Sequence, residues 1–577
     1  MKTQANKKNV KLRANIVGAI FFLALISITG RAAQLQIFQS PWLSAKAASQ
    51  YERSQTIRGK RGAILDANRK PLAVSIDTTS VAAYPKQIEN PLKAAKSLAA
   101  ILKLNSKDVS QKLSSAKNFV WIKRQINPKE VQSLKSLSIQ GVGFIPENSR
   151  VYPNKGLAAQ VLGFSGIDGS GLEGIEYFYD PFLKGNEIQT TVLKDAKGRG
   201  FDMPTQMTEA YQGRQLVLTI DRNIQYITET ALEEAVKKYD GKTGLAVVMA
   251  PKTGAVLAMA HYPNFNPNTF DAFDREVWRN RAITDKFEPG STLKIFTAAA
   301  AIDSKRVTAD TIFFCENGKY SLAGTVIHDT KPHGWLTLKK IVKYSSNIGA
   351  VKVMEAIGPE VLYNYLTKFG FGQKTGIDCP GETSGSLSYF NNWTLVDAGS
   401  ISFGQGIAVS AIQLVAAASA IANDGLYMKP HMVQSIIDAD GRTVKTFKPE
   451  VVRRVISAQT AWTVRKIMQS VVTEGGTGQK AALAGYSVGG KTGTAQKISE
   501  NGGYAKDRFI ASFIGFTPVE DPQAVILVVI DEPTKRHYGG TVAAPVFRKI
   551  AHATLQYRKV TPTVASKDLR LAAFRKE

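Results

Sequence analysis

Apolar and polar positions change their spacing several times along the chain, and each change predicts a different element. The first is an apolar run, IVGAIFFLALISITG, between Asn15 and Arg31. Its apolar part is about 15 residues, short of the ~20 that span a bilayer as a helix. A cleaved signal peptide is therefore the rival reading. RAAQLQIF carries the run to Phe38 in helix-forming residues, and Arg31 can snorkel to the interface, which favours an uncleaved anchor over residues 15–38. Lys2, Lys7, Lys8, Lys11 and Arg13 precede any acid. The positive-inside rule puts residues 1–14 in the cytoplasm and everything after Phe38 outside.

From 39 to 214 the chain is mixed and lysine-rich. Helical patterns at Pro91–Leu102 and Pro128–Leu137 alternate with strand-like runs such as Asn118–Lys123. From 215 the pattern changes. QLVLTIDRNIQYITETALEEAVKKY reads as a strand, then an amphipathic helix capped near Asp221. GLAVVMAPKTGAVLAMAHY reads as two strands around a Pro-Lys-Thr-Gly turn. A helix-rich middle follows, and strands return after 485. The domains are expected at 39–214 and 215–560, with a basic tail at 561–577.

The last strand region holds GYSVGGKT, Gly485 to Thr492, which fits the phosphate-binding G-x-x-x-x-G-K-[ST] pattern at every position. AVILVVIDE, ending at Glu532, resembles the magnesium-binding strand of an ATPase. The surroundings reject this reading. A phosphate loop needs an apolar strand before its glycines and a helix from Lys-Thr onward. Here TGQKAALA precedes, Gly493 follows, and Ser499-Glu500-Asn501-Gly502-Gly503 is a hairpin signal. Lys491 therefore belongs to a strand of an antiparallel meander.

Composition narrows the classes further. Lys plus Arg is 74 against 47 Asp plus Glu, a net charge of +27, which favours an anionic partner such as lipid or an acidic wall polymer. No stacking-aromatic motif of an RNA-binding sheet is visible, so nucleic acid is set aside. Cys315 and Cys379 lie outside any CxxC, and the six histidines are scattered, so no metal-ligand spacing is present. Spacing leaves open whether the two cysteines pair.

With Lys491-Thr492-Gly493-Thr494 on a strand, the remaining chemistry falls into order. Phe287-Glu288-Pro289-Gly290-Ser291-Thr292-Leu293-Lys294 contains S-x-x-K ahead of an apolar helix, a nucleophile with a base one turn later. Burial near another cation should lower the lysine's pKa. Ser345-Ser346-Asn347 is an S-x-N before helical IGAVKVMEAI, where a serine can relay a proton and an amide can hold a peptide. Gly493 lets a ligand approach the strand, and Lys491, Thr492 and Thr494 can receive a carboxylate. Each motif alone is weak: Ser114-Ser115-Ala116-Lys117, Ser499-Glu500-Asn501 and Lys374-Thr375-Gly376 match too. Three in the right order on the right elements are a strong joint signal.

These motifs, with Arg61-Gly62-Ala63-Ile64-Leu65-Asp66, Arg150-Val151-Tyr152-Pro153 and Gly171-Leu172-Glu173-Gly174-Ile175-Glu176, resemble the class B penicillin-binding proteins over nearly the whole chain. Phe403-Gly404-Gln405-Gly406 and YGGTVAAPVF from Tyr538 resemble their division-specific, FtsI-type branch. One departure is Asp66-Ala67-Asn68-Arg69, where the family usually has DRNG. The resemblance implies an α+β fold: a transpeptidase domain of antiparallel sheet flanked by helices with a helical subdomain, an extended mixed pedestal of dimerisation type, and one transmembrane helix.

It also implies a serine D,D-transpeptidase acting on stem peptides ending in D-Ala-D-Ala, acylated by β-lactams, without metal or organic cofactor. Ser291 would be the nucleophile, Lys294 the base and Ser345 the relay. Asn347 would hold the peptide, and Lys491, Thr492 and Thr494 its carboxylate. The N–H groups of Ser291 and Thr494 would form the oxyanion hole. The partners implied are lipid-linked precursor, an FtsW-type membrane glycosyltransferase and other divisome membrane proteins, in the bacterial inner membrane with the catalytic domain in the periplasm. The rivals are an elongation-specific enzyme, a β-lactamase, a membrane β-lactam receptor and a divisome scaffold with dispensable catalysis.

Overall fold

The computed structural model describes residues 2–193, 211–499 and 502–562, which fall into two compact units. Most of the tail expected at 561–577, and Glu500 and Asn501 of the hairpin signal and of one S-x-N match, lie outside the described residues. The first unit takes residues 1–60 and 185–212. In it, helix Lys2–Ala33 runs into a π-helical turn Gln34–Phe38, and helix Ser40–Tyr51 follows. Lys8–Phe38 is long and apolar enough to cross a membrane, and its most apolar stretch is unburied. Strand Glu52–Arg58 pairs antiparallel with Glu187–Leu193.

The second unit takes residues 61–184 and those from 213 onward. Its larger part is organised by a five-stranded antiparallel sheet in the order Gly489–Ile498, Tyr504–Thr517, Ala524–Asp531, Thr243–Met249, Val256–Tyr262. Both faces are covered, which explains the unbroken apolar run AVILVVI. Ala246, Val248, Ile526 and Val528 share a cluster with Leu232 of helix Arg222–Tyr239 and Phe547 of helix Ala544–Tyr557. Their neighbours Val247, Met249, Val525 and Leu527 point the other way, toward the cluster of helices Lys294–Asp303 and Ala411–Ala422. Each large aliphatic side chain so buried contributes about 1.5–3 kcal/mol.

Helix Arg222–Tyr239 starts where the sequence placed it: the Asp221 carboxylate accepts from Asn223 N at 2.8 Å. Ala411–Ala422 is buried at every position and opens on a capping box between Ser410 and Gln413. The helix-rich middle also holds two small strand pairs, Ile312–Phe314 with Trp335–Thr337 and Lys319–Leu322 with Thr325–His328, too short for periodicity to signal.

The other sheet has seven strands. Pro71–Ala83 pairs with both Val120–Ile126 and Val142–Val151, and Ile64–Leu65 links it in parallel to Gln215–Leu218. Val433–Ile437 and Thr443–Thr446 complete it. The sheet thus joins strands from either side of residue 214. The three pedestal motifs meet on one carboxylate. Glu176, fully buried, takes Arg61 at 2.6 Å, Arg150 at 2.7 Å and the Tyr152 hydroxyl at 3.1 Å. In the departing turn, the Asp66 carboxylate accepts from Asn68 N and Lys70 N, and Arg69 stands in the left-handed region at φ 58°.

Candidate active site

Ser291 does not open the α-helix directly. It lies in a 3-10 turn, Gly290–Thr292, and the α-helix begins at Lys294. The turn is held from outside. Gly290 N donates to Gly404 O at 3.0 Å, and Thr292 Oγ1 donates to Pro289 O at 2.7 Å. Gly404, at φ +94°, comes so close that a Cβ there would lie 2.0 Å from Gly290 O. The FGQG segment is thus a wall behind the serine turn. Glu288 fastens the same turn, accepting from Gly406 N at 2.9 Å and the Tyr504 hydroxyl at 3.2 Å.

Ser345 and Asn347 stand at a corner between two helices. Leu338–Tyr344 ends at Ser345, which adopts the left-handed region at φ 64°, and Ser346 caps the next helix, Asn347–Ile357. The corner is held by Asp329. Its carboxylate accepts from Ser346 Oγ at 2.5 Å, Asn347 N at 2.5 Å and Ile348 N at 3.1 Å. A carboxylate there also suits the positive end of the helix.

Lys491 projects from Gly489–Ile498, the edge strand of the five-stranded sheet. A Cβ on Gly493 would meet Ser512 Oγ at 2.2 Å and Thr292 Cγ2 at 2.9 Å, so only glycine lets the strand lie against the serine turn. Thr494 accepts from Gly539 N at 3.2 Å, and Thr492 Oγ1 donates to Thr477 Oγ1 at 3.0 Å.

The three elements converge on two lysine nitrogens. Lys294 Nζ lies 2.7 Å from Ser345 O, 2.7 Å from Asn347 Oδ1, 3.0 Å from Ser291 Oγ and 3.3 Å from Ser345 Oγ. Lys491 Nζ lies 2.9 Å from Ser345 Oγ and 3.0 Å from Thr492 O. Ser345 Oγ therefore bridges the two. Neither lysine forms an ion pair among the described residues, and both are buried. Burial pushes Lys294 down to about 7, with Asp329 opposing. Burial, and then the nearby Lys294, hold Lys491 well below the ordinary lysine value. Buried ammoniums are costly, which is why both lysines are shifted downward.

The structure gathers Ser291, Lys294, Ser345, Asn347, Lys491 and Thr492 into one hydrogen-bonded chain, with Gly493 and Thr494 on the adjoining strand. Two of the look-alike motifs lie elsewhere. Ser114-Ser115-Ala116-Lys117 follows helix Ser106–Leu113, and Thr375 is tied through N and Oγ1 to Glu382 at 2.6 Å. Cys315 and Cys379, whose pairing the sequence left open, are separate buried thiols. Asp329 and Thr477 were missed by sequence reasoning. Neither stands at a fixed offset from a motif, so no local signal could have found them.

Residues 244–552 match the penicillin-binding protein transpeptidase domain, and residues 56–218 the penicillin-binding protein dimerisation domain. The chain is 36% identical to stage V sporulation protein D of Bacillus subtilis over 565 residues, 96% of this chain and 87% of that one. It is 31% identical to peptidoglycan D,D-transpeptidase FtsI of Escherichia coli over 575 residues, 97% of this chain and 95% of that one. Penicillin-binding protein 3 of Mycobacterium tuberculosis, solved in complex with aztreonam, shares the fold with a TM-score of 0.69 at 28% identity, over 88% of this chain and 98% of that one. The chain belongs to the class B penicillin-binding proteins and is a peptidoglycan D,D-transpeptidase.

Proposed function

We propose that Ser291 is the acyl-accepting nucleophile and Lys294 its base. The observation that carries this reading is the set of partners at Lys294 Nζ. A neutral amine has two N–H donors and one lone pair. The two 2.7 Å contacts to Ser345 O and Asn347 Oδ1 use both donors, leaving the lone pair for the Ser291 hydroxyl at 3.0 Å. Lys294 takes the Ser291 proton as Oγ attacks the penultimate carbonyl of the D-Ala-D-Ala donor. The amide C–N bond then breaks, and the proton passes through Ser345 to the leaving D-Ala amine. An amine from a second stem peptide attacks the ester and gives up its proton to Lys294. The C–O bond breaks, and the proton returns to Ser291.

The Ser291 N–H stands in a first helical turn, where it has no intrahelical acceptor, and with Thr494 N–H it forms the oxyanion hole. Asn347 holds the donor peptide. Lys491, Thr492 and Thr494 hold its carboxylate, and Gly493 opens the strand edge to it.

The wider setting follows the same reading. Residues 1–14 lie in the cytoplasm, 15–38 cross the membrane, 39–214 form the pedestal, 215–560 carry the chemistry outside, and 561–577 form a basic tail. The reaction serves septum formation beside an FtsW-type glycosyltransferase and other divisome membrane proteins, a role supported by FtsI among the relatives. A second reading, synthesis of a sporulation wall, is favoured by the likeness to stage V sporulation protein D.

The test is labelling with a fluorescent penicillin and mass mapping of the adduct, with Ser291→Ala in parallel. The expected result is a stable adduct on Ser291, lost in the variant. No adduct on folded protein overturns the assignment. Depletion in growing cells should give filaments without septa. Swollen or rounded cells would point to elongation, and normal division with defective spores to the second reading.

A further inference from the structure

The net charge is not spread evenly. Residues 84–141 hold 11 Lys and Arg against 3 Asp and Glu, whereas the rest of the pedestal in the same unit, 61–83 with 142–184, holds 6 against 7. The charged segment is a lobe with its own core. Helices Pro91–Leu102, Ser106–Leu113 and Pro128–Ser136 bury Leu98, Leu102, Val109, Leu113 and Leu134 together with Ile122 of the adjoining strand.

The faces left outside are lysine faces. Lys93 and Lys96 on the first helix, Lys107 and Lys112 on the second, and Lys129 and Lys135 on the third are all exposed. Among the described residues none of the six forms an ion pair. Glu130, in the first turn of the third helix, is taken by Lys123 at 2.7 Å, and Asp108 is the one acid on the second helix. A scatter of lysines that only aided solubility would be interspersed with acids, as it is in the rest of the pedestal. Concentration on one small lobe means that a strong positive field reaches solvent from this surface.

We propose that this lobe is a docking surface for the carboxylates of peptidoglycan stem peptides, holding the substrate polymer apart from the catalytic site. The proposal rests on the transpeptidase reading for the identity of the polymer. Two observations favour it over a lipid surface. First, a helix that lies in a bilayer interface needs a continuous free apolar face, and here most of the apolar residues of the three helices are packed into the lobe's own core, with Leu92 of the first helix left exposed. Second, the lobe belongs to the same compact unit as the transpeptidase strands, joined through strand Pro71–Ala83 to the seven-stranded sheet. A strand held there is retained by the body that processes it. Lysines on flexible stems suit a polymer whose carboxylates are irregularly placed, because each ammonium acts as a point charge rather than a fixed fork.

The experiment uses the full chain in detergent. Binding is measured by co-sedimentation with purified sacculi, with sacculi whose carboxylates have been converted to methylamides, and with phosphatidylglycerol vesicles. Wild type is compared with a variant carrying Lys93→Glu, Lys96→Glu, Lys107→Glu, Lys112→Glu and Lys129→Glu, and with the same five positions changed to Gln.

Binding to intact sacculi is expected to fall at least about tenfold on amidation and at high salt, where the screening length shrinks to a few ångströms. The Glu variant should lose at least about tenfold and the Gln variant an intermediate amount, with penicillin labelling of both unchanged. Equal binding by the Glu variant, insensitivity to amidation, or a preference for vesicles that the Glu variant abolishes overturns the proposal. Penicillin labelling of the wild type separates the two readings. Its absence strikes the catalytic assignment, while carboxylate-dependent binding to sacculi still reports on the lobe.

Discussion

Two clusters of buried charge in the same unit behave in opposite ways. In the pedestal, two guanidiniums face one carboxylate: Arg61 and Arg150 on Glu176, with Asp180 taking a second edge of Arg61 at 2.5 Å. Burial pushes Glu176 up, but the two arginines more than offset it, so the carboxyl sits below its usual range and stays ionised. At the candidate active site two lysines share a serine hydroxyl, and the contacts around Lys294 are neutral oxygens. The nearby carboxylate, Asp329, bonds the helix start and the Ser346 hydroxyl rather than a lysine. A matched buried charge is a fixed brace. An unmatched one is a proton held loosely, which is what a general base near neutral pH requires.

The largest expected effect tests the second cluster. Lys294→Arg keeps length and positive charge, yet a guanidinium cannot accept a proton. Penicillin acylation should fall about 10²–10⁴-fold in a stopped-flow assay, with the thermal transition close to wild type. Retention of more than a tenth of the rate would rule Lys294 out as the base.

The same comparison made at the brace should invert the outcome. Glu176→Gln leaves two buried guanidiniums facing a neutral amide and should cost about 3–5 kcal/mol of unfolding free energy. The acylation rate per folded molecule should stay within about twofold. A stable protein with slow acylation would mean that the brace acts on the chemistry rather than on the fold.

The pH response sharpens the contrast. The acylation rate should rise with pH through a midpoint near 7, as Lys294 loses its proton, and then level off. Stability should also rise with pH from about 7 toward the ordinary lysine value of 10.5, because in that window the unfolded chain binds a proton that the folded one does not. Glu176 acts at the acid end. Its depressed pKa contributes stability above the ordinary carboxyl range, and that contribution is lost as pH falls through its folded value. Asp329 is the influence that raises Lys294, so Asp329→Asn should move the acylation midpoint to lower pH. A midpoint that rises instead would assign the profile to another group.

The smallest effect is in the pedestal turn. Arg69 is exposed and left-handed at φ 58°, where the resemblance leads one to expect glycine. Arg69→Gly should relieve strain and raise stability by about 0.5–1 kcal/mol in a denaturant titration, leaving acylation alone.

The sequence by itself determined whatever is settled within about ten residues. The strand carrying Lys491, rather than a phosphate loop, followed from Gly493 and the hairpin residues after it. The cap at Asp221, the apolar helix behind Ser291 and the order of the three motifs were readable in the same way. Periodicity and turn chemistry are local, so local text encodes them. The tertiary structure alone decided the rest. Ser345 is 51 residues from Lys294 and 146 from Lys491, and its oxygen reaches both nitrogens only because a left-handed corner pinned by Asp329 meets an edge strand packed tightly through glycine. The sheet that runs across residue 214, the role of Asp329 and the lack, among the described residues, of a carboxylate partner for the lysines come from contacts between distant segments. Packing in three dimensions chooses such contacts, and no spacing along the chain records them.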